Sequence, residues 1–108
     1  MTIELDPTIE TYVGASNRHD VAAILSCFSD DAFVHDEAKA HRGKEAIKEW
    51  LVETIEKYKF QFKPLSCQID NDETVVQIEV SGTFDGSPVT LDYRFKIEND
   101  KISSLAIS

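Results

Sequence analysis

The sequence predicts an α+β fold in which three N-terminal helices pack on a curved, mostly antiparallel sheet that forms a cone around a pocket. Three observations carry that prediction. Apolar residues recur at helical spacing in three stretches up to Tyr58, and at every second position from Lys59 onward. The alternation slips by one residue at Pro64, as a β-bulge or sharp bend requires, and such a bend curls a sheet. The late strands follow one another through short turns, so they pair antiparallel, and the helices gathered before them cover one face.

The first helix starts at Asp6-Pro7 and buries Ile9, Tyr12 and Val13. Asn17 to Asp20 interrupt it, and Asp20 caps a short second helix whose buried stripe is Val21, Ile24, Leu25 and Phe28. Ser29, Asp30 and Asp31 end that helix. Ala32 to Arg42 alternates weakly and reads as a short strand and its return. The third helix opens after Gly43 and carries Ile47, Trp50, Leu51, Ile55 and Tyr58 on one side, with Lys and Glu opposite.

The period then changes to two. Phe60 and Phe62 share a face, and beyond Pro64 the apolar set is Leu65, Cys67 and Ile69. Val76, Ile78, Val80 and Phe84 follow, broken by Gly82. Asp85-Gly86 signals a turn into Val89, Leu91, Tyr93, Phe95 and Ile97, the cleanest alternation in the chain. Asn99-Asp100 leads to a last strand bearing Ile102, Leu105 and Ile107. The opposite face of these strands carries Glu79, Ser81, Thr90, Asp92, Arg94 and Lys96, polar enough for solvent or for a wet dimer interface.

At 108 residues the chain is long enough for one domain, residues 1–108, with one core. With 20 acidic and 11 basic side chains its formal net charge is -9, and the basic residues are scattered singly, which argues against nucleic acid as a partner. No apolar run approaches the roughly 18 residues of a membrane span. Met1 to Pro7 shows no leader pattern, so a cytoplasmic location is expected. Cys27 and Cys67 sit far apart in unrelated contexts and read as small buried hydrophobes.

An ordered set of residues carries a further signal: Tyr12-Val13-Gly14-Ala15-Ser16-Asn17, Asp20-Val21, Phe28-Ser29-Asp30-Asp31-Ala32, Asp36, Arg42-Gly43 and Tyr93-Arg94-Phe95. Together they resemble the SnoaL-like and ketosteroid-isomerase-like branch of the NTF2-like (cystatin-like) superfamily over nearly the whole chain. That superfamily holds enzymes, binding proteins and adaptors, so the resemblance specifies fold better than reaction. It implies a small apolar ligand, no cofactor, and a homodimer formed through the outer sheet face.

By the same resemblance Tyr12 matches the tyrosine that hydrogen-bonds a developing enolate oxygen, and Asp36 the aspartate that moves a proton between carbons. A carboxylate and a phenol facing each other across a dry pocket supply the base and the oxyanion donor such a transfer needs. The isomerases add a protonated aspartate as second donor. Here Tyr93-Arg94-Phe95 aligns Leu91 with that position, and strand parity turns Asp92 away from the pocket. One missing donor costs roughly 3 kcal/mol of transition-state stabilisation, so efficient steroid isomerisation is not expected. Phe28 and Trp50 match wall positions of the isomerase pocket, and Leu51, Phe60, Leu91 and Tyr93 are further candidate lining residues.

Each of these residues also has a plainer place. Tyr12 belongs to a buried helical stripe, Asp36 to a strand end that water can reach, and the aromatics to an ordinary core. His35, Asp36, Glu37 and His41 form the one His/carboxylate cluster, but alternation sends His35 to the face opposite Asp36, and the spacing matches no standard metal-ligand set. His41 lies within reach of the pocket mouth, and His19, between helices, is expected in solvent.

Overall fold

The computed structural model of the protein describes residues 4–36 and 38–108. Helix α1 spans Pro7–Asn17, α2 Val21–Ser26 and α3 Gly43–Tyr58. The strands are β1 Phe28–Asp36, β2 Lys39–Arg42, β3 Gln61–Asp70, β4 Glu73–Ser81, β5 Val89–Glu98 and β6 Lys101–Ile107. Both short helices start where capping chemistry directs. The Thr8 N–H donates to Asp6 Oδ1 over 2.8 Å, with Pro7 supplying a preset φ at the first helical position. The Ala23 N–H donates to Asp20 Oδ1 over 3.1 Å. Helix α3 stops at Lys59, whose left-handed backbone (φ 48°) lets its N–H reach the Ile55 carbonyl.

Phe28 departs from the predicted helix stripe. The second helix ends before Cys27, and Phe28 is the first residue of β1, fully buried and paired with Ile102. The Ile102 N–H donates to the Cys27 carbonyl over 2.7 Å and Lys101 Nζ to the Ser26 carbonyl over 2.6 Å, so the end of α2 is stitched to β6 rather than prolonged. His19, expected in solvent, is half-buried. Its Nε2–H donates to the Phe60 carbonyl over 2.7 Å, and its ring meets Phe60 edge-on.

The sheet corrects the predicted cone. Its order is β2-β1-β6-β5-β4-β3, an open and mixed sheet in which β6 runs parallel to β1 and antiparallel to β5. Closing a sheet requires its edge strands to pair with each other. Here β2 and β3 lie at opposite ends of the order and do not meet. The phase slip at Pro64 is a real irregularity, with the register of β3 on β4 shifting between Pro64 and Ser66. Further shifts fall between Phe28 and Phe33 and between Lys96 and Ile97, and such irregularities bend strands locally without pairing the two edges. As the sequence indicated, a strand and its return, β1 and β2, intervene before α3.

One stretch of the β3 edge is occupied by a side chain. The Phe62 N–H donates to Asn17 Oδ1 over 2.6 Å, and Asn17 Nδ2 donates back to the Phe62 carbonyl over 3.1 Å. The amide of Asn17, at the end of α1, thus stands in for a neighbouring strand. The core lies between the helices and the inner sheet face, where Tyr12, Phe28, Ile47, Leu51, Ile78, Phe95 and Leu105 are at most 2% exposed. Each such side chain contributes about 1.5–3 kcal/mol through burial. On the other face Arg94 pairs with Asp70 and Glu73, and Lys96 with Asp72. Among the described residues no helix is long and apolar enough to cross a membrane.

Candidate functional site

Where α3 stands off the inner sheet face it leaves a cavity of about 480 Å³, open to solvent at one side. Four side chains of α3 at near-helical repeats form one wall: Trp50, Leu51, Thr54 and Tyr58. Phe60 and Phe62 close the cavity on the β3 side, and Val80, Leu91, Tyr93 and Ile107 form its floor. Phe84 and Asp85 border it from the β4–β5 connection and Val89 from the start of β5, with the Phe84 ring edge-on to Tyr58 at 5.6 Å. Gly82 permits that arrangement, because a Cβ there would collide with the Tyr58 carbonyl oxygen. Tyr12 reaches the cavity from α1, and Asp36 from the last position of β1.

The lining is aromatic and acidic. Tyr12, Trp50, Tyr58, Phe60, Phe62, Phe84 and Tyr93 supply rings, while the charged residues in it are Asp36 and Asp85, both carboxylates. No Lys, Arg or His borders the cavity among the described residues. Asp36 is half-buried and accepts a hydrogen bond from the indole Nε1–H of Trp50 at 3.0 Å. The His41 ring, from β2, stacks on the same indole with centroids 5.8 Å apart and planes inclined by 29°.

Behind Asp36 and Trp50 lies a second, smaller and polar recess of about 90 Å³. It shares Asp36, Trp50, Thr54 and Tyr58 with the main cavity and adds Lys39, His41, Glu53 and Lys57. The Asp36–Trp50 pair is therefore a partition, with apolar space on one side and charged side chains on the other.

Tyr12 is 1% exposed, boxed by Phe28, Phe62 and Phe95 at centroid distances of 5.9, 6.3 and 5.5 Å. Burial pushes its phenol far above the ordinary value, and the negative charge of Asp36 adds to the rise. The nearby Ser16 hydroxyl works the other way. Ser16 Oγ is itself buried and completes no hydrogen bond of good geometry among the described residues, so its effect on Tyr12 is a near approach rather than a formed bond. Tyr93 behaves alike: burial raises its phenol, then the neighbouring Tyr12, then Asp36. Both phenols stay protonated and able to donate at neutral pH.

Of the residues singled out in the sequence, Tyr12, Asp36, Trp50, Leu51, Phe60, Leu91 and Tyr93 border one cavity. Phe28 does not. It sits behind Tyr12, edge-on and fully buried, and acts as backing. Asp92 is exposed on the outer face, beside Gln77 of β4. His35 is exposed and Glu37 lies outside the described residues; among those described, no three His, Cys, Asp or Glu side chains converge as metal ligands. Sequence reasoning missed Thr54, Phe84 and the Trp50–Asp36 bond. The first was readable from the i, i+4, i+8 row Trp50, Thr54, Tyr58; the other two depend on where a loop and a strand end fall in space.

Comparisons with known proteins agree with this architecture. Residues 9–105 match the profile of the SnoaL-like domain. A Sinorhizobium meliloti protein provisionally assigned as a polyketide cyclase is 36% identical, with a TM-score of 0.92 over 96% of this chain and 95% of that one. A Catenulispora acidiphila protein with a ketosteroid-isomerase-like fold, solved in complex with trimethylamine, is 15% identical with a TM-score of 0.83 over 97% of this chain and 86% of that one. The Orange Carotenoid Protein of Anabaena, solved with canthaxanthin, is 22% identical with a TM-score of 0.81 over 100% of this chain and 37% of that one. No curated protein matches the sequence at a significant level.

Proposed function

The chain belongs to the SnoaL-like domain family of the NTF2-like superfamily, and from that premise we propose that it binds a small apolar molecule in the cavity and moves a proton alpha to a carbonyl within it. One observation carries the reading: the carboxylate of Asp36 is set by an indole hydrogen bond into the wall of a largely apolar cavity that two protonated phenols also border. In the proposed step Asp36 takes the α-proton and the C–H electron pair moves into the enolate. The enolate oxygen accepts a hydrogen bond from Tyr12, and the same Asp36 returns the proton to a second carbon.

The site has more donors than its sequence suggested. Leu91 stands where the isomerases carry their second acid, but Tyr93, two residues on and so on the same face of β5, brings a phenol to the cavity floor. Tyr93 is proposed as the second oxyanion donor. Small-molecule binding is consistent with relatives of the same fold that hold canthaxanthin or trimethylamine.

The test is solvent deuterium exchange into β-tetralone, followed by NMR. Asp36→Asn should abolish exchange above the buffer rate while β-tetralone binding stays within about threefold. Binding of β-tetralone with no exchange above the buffer rate in the wild type would favour a carrier that sequesters its ligand without chemistry. A homodimer through the outer face of β4–β6 is proposed with either reading, because the ion pairs of Arg94 and Lys96 offset part of that face's acidic charge and leave it polar, as a wet interface is. A cytoplasmic setting suits the unpaired thiols of Cys27 and Cys67.

A further inference from the structure

We infer that the cavity selects among apolar ligands by charge, and takes one bearing an alkylammonium group in preference to its neutral or anionic analogue. The inference rests on the cavity being the ligand site, as proposed above, and an amine-bearing carbonyl compound satisfies both readings.

Charged side chains on the main cavity are two carboxylates, Asp36 in the wall and Asp85 at the exposed border, and no basic side chain among the described residues lines that cavity with them. The rest of the surface is dominated by ring systems, whose faces carry negative quadrupole density and attract cations, most strongly at Trp. Trp50 adjoins the Asp36 carboxylate directly, its N–H turned onto Oδ2. An ammonium near that pair would meet a carboxylate and a π-face together, which is how aromatic cages hold alkylated amines. The chain already shows the attraction, since Lys57 Nζ stands 5.1 Å over the Tyr58 ring and Arg42 Cζ 5.2 Å over that of Phe33.

The basic groups nearest Asp36 are Lys39, His41 and Lys57, and they border the polar recess behind the partition rather than the main cavity. The negative field of Asp36 does extend inward, because it raises the phenols of both Tyr12 and Tyr93. A carboxylate ligand would enter this field unpaired and desolvated, whereas an ammonium would be stabilised by it. The net charge of -9 draws cations toward the protein from solution as well.

Three probes of matched shape test this: phenylbutyl-trimethylammonium, its hydrocarbon isostere with carbon in place of nitrogen, and phenylpentanoate. Affinity is measured by calorimetry and by quenching of Trp50, the one tryptophan in the chain. The ammonium should bind about tenfold tighter than the isostere, and phenylpentanoate weakest. Asp36→Asn should erase most of that tenfold preference and leave the isostere within about twofold of wild type. Equal or weaker ammonium binding beside a well-bound isostere overturns charge selection and leaves the apolar cavity standing. Failure of all three probes overturns both. Should Asp36→Asn not fold, the wild-type comparison still decides the matter. A preference that survives in folded Asp36→Asn removes Asp36 as its source.

Discussion

The indole of Trp50 donates to Asp36 Oδ2 over 3.0 Å, and the two side chains together separate an aromatic cavity from a polar recess. A carboxylate at the end of a strand would ordinarily sample several rotamers. Here a hydrogen bond from a rigid, buried donor holds one orientation while the recess keeps charged groups close behind it.

Replacing Trp50 should therefore separate positioning from packing. Trp50→Phe removes the donor, and deuterium exchange into β-tetralone should fall about tenfold in kcat with KM nearly unchanged, since a hydrogen bond to a charged group contributes about 1.5–3 kcal/mol. Trp50→His restores an N–H and should recover part of the rate. Equal loss in both variants would assign Trp50 to packing alone.

Alkaline stability should report the buried phenols. Tyr12 and Tyr93 titrate above their ordinary value of 10.0 in the folded protein and near it when unfolded. Above pH 10 the unfolded chain thus binds fewer protons than the folded one. Their contribution is intact below that pH and is lost as pH climbs, by up to about 1.4 kcal/mol per unit for each tyrosine. Denaturant unfolding from pH 9 to 11.5 should show this slope for wild type and a shallower one for Tyr12→Phe. An unchanged slope would mean that Tyr12 titrates like a solvated phenol.

Gly82 should tolerate no side chain. A Cβ there runs into the Tyr58 carbonyl, which is backbone and already accepts the Thr83 N–H at 2.8 Å. Gly82→Ala should cost about 2–4 kcal/mol and loosen the Tyr58–Phe84 contact at the cavity border. Thermal unfolding measures the cost, and Trp50 fluorescence reports the cavity. A loss under 0.5 kcal/mol would show that the border relaxes freely.

Asn17→Leu should expose the β3 edge it now pairs. Two hydrogen bonds to Phe62 are lost, for about 1–3 kcal/mol, and the freed N–H and C=O become available to another chain. Size-exclusion chromatography with light scattering should show larger species whose amount rises with concentration. Loss of stability without any association would limit Asn17 to a structural bond.

Much of the fold was legible because local rules and tertiary structure agree. Asp6 and Asp20 cap helices, Asn99-Asp100 turns the chain with both residues at positive φ, and the alternation of Leu91, Tyr93 and Phe95 puts them on the inner face. Phe28 was misread because helical spacing from Ile24 and Leu25 continues onto it, while the bonds that make it a strand come from residues 101 and 102. Pro64 signalled a bend correctly but says nothing about whether two edge strands distant in the sheet order will pair. At the site, Asp36 and Tyr12 were reachable by resemblance. The indole bond to Asp36 was not, since it depends on the partner a side chain finds across the cavity.

The parallel pairing of β1 with β6 also sets when the protein can finish folding. Phe28 and Val34 take as neighbours Ile102 and Leu105, so the central seam of the sheet joins segments some seventy residues apart. Until residue 107 has left the ribosome, β1 and β5 both lack their shared partner, and the strand that carries Asp36 has only β2 beside it. Contacts of such long range form late and slowly. The nascent chain therefore carries the open edge of β1 through most of its synthesis, and that of β5 as well until β6 emerges to close both.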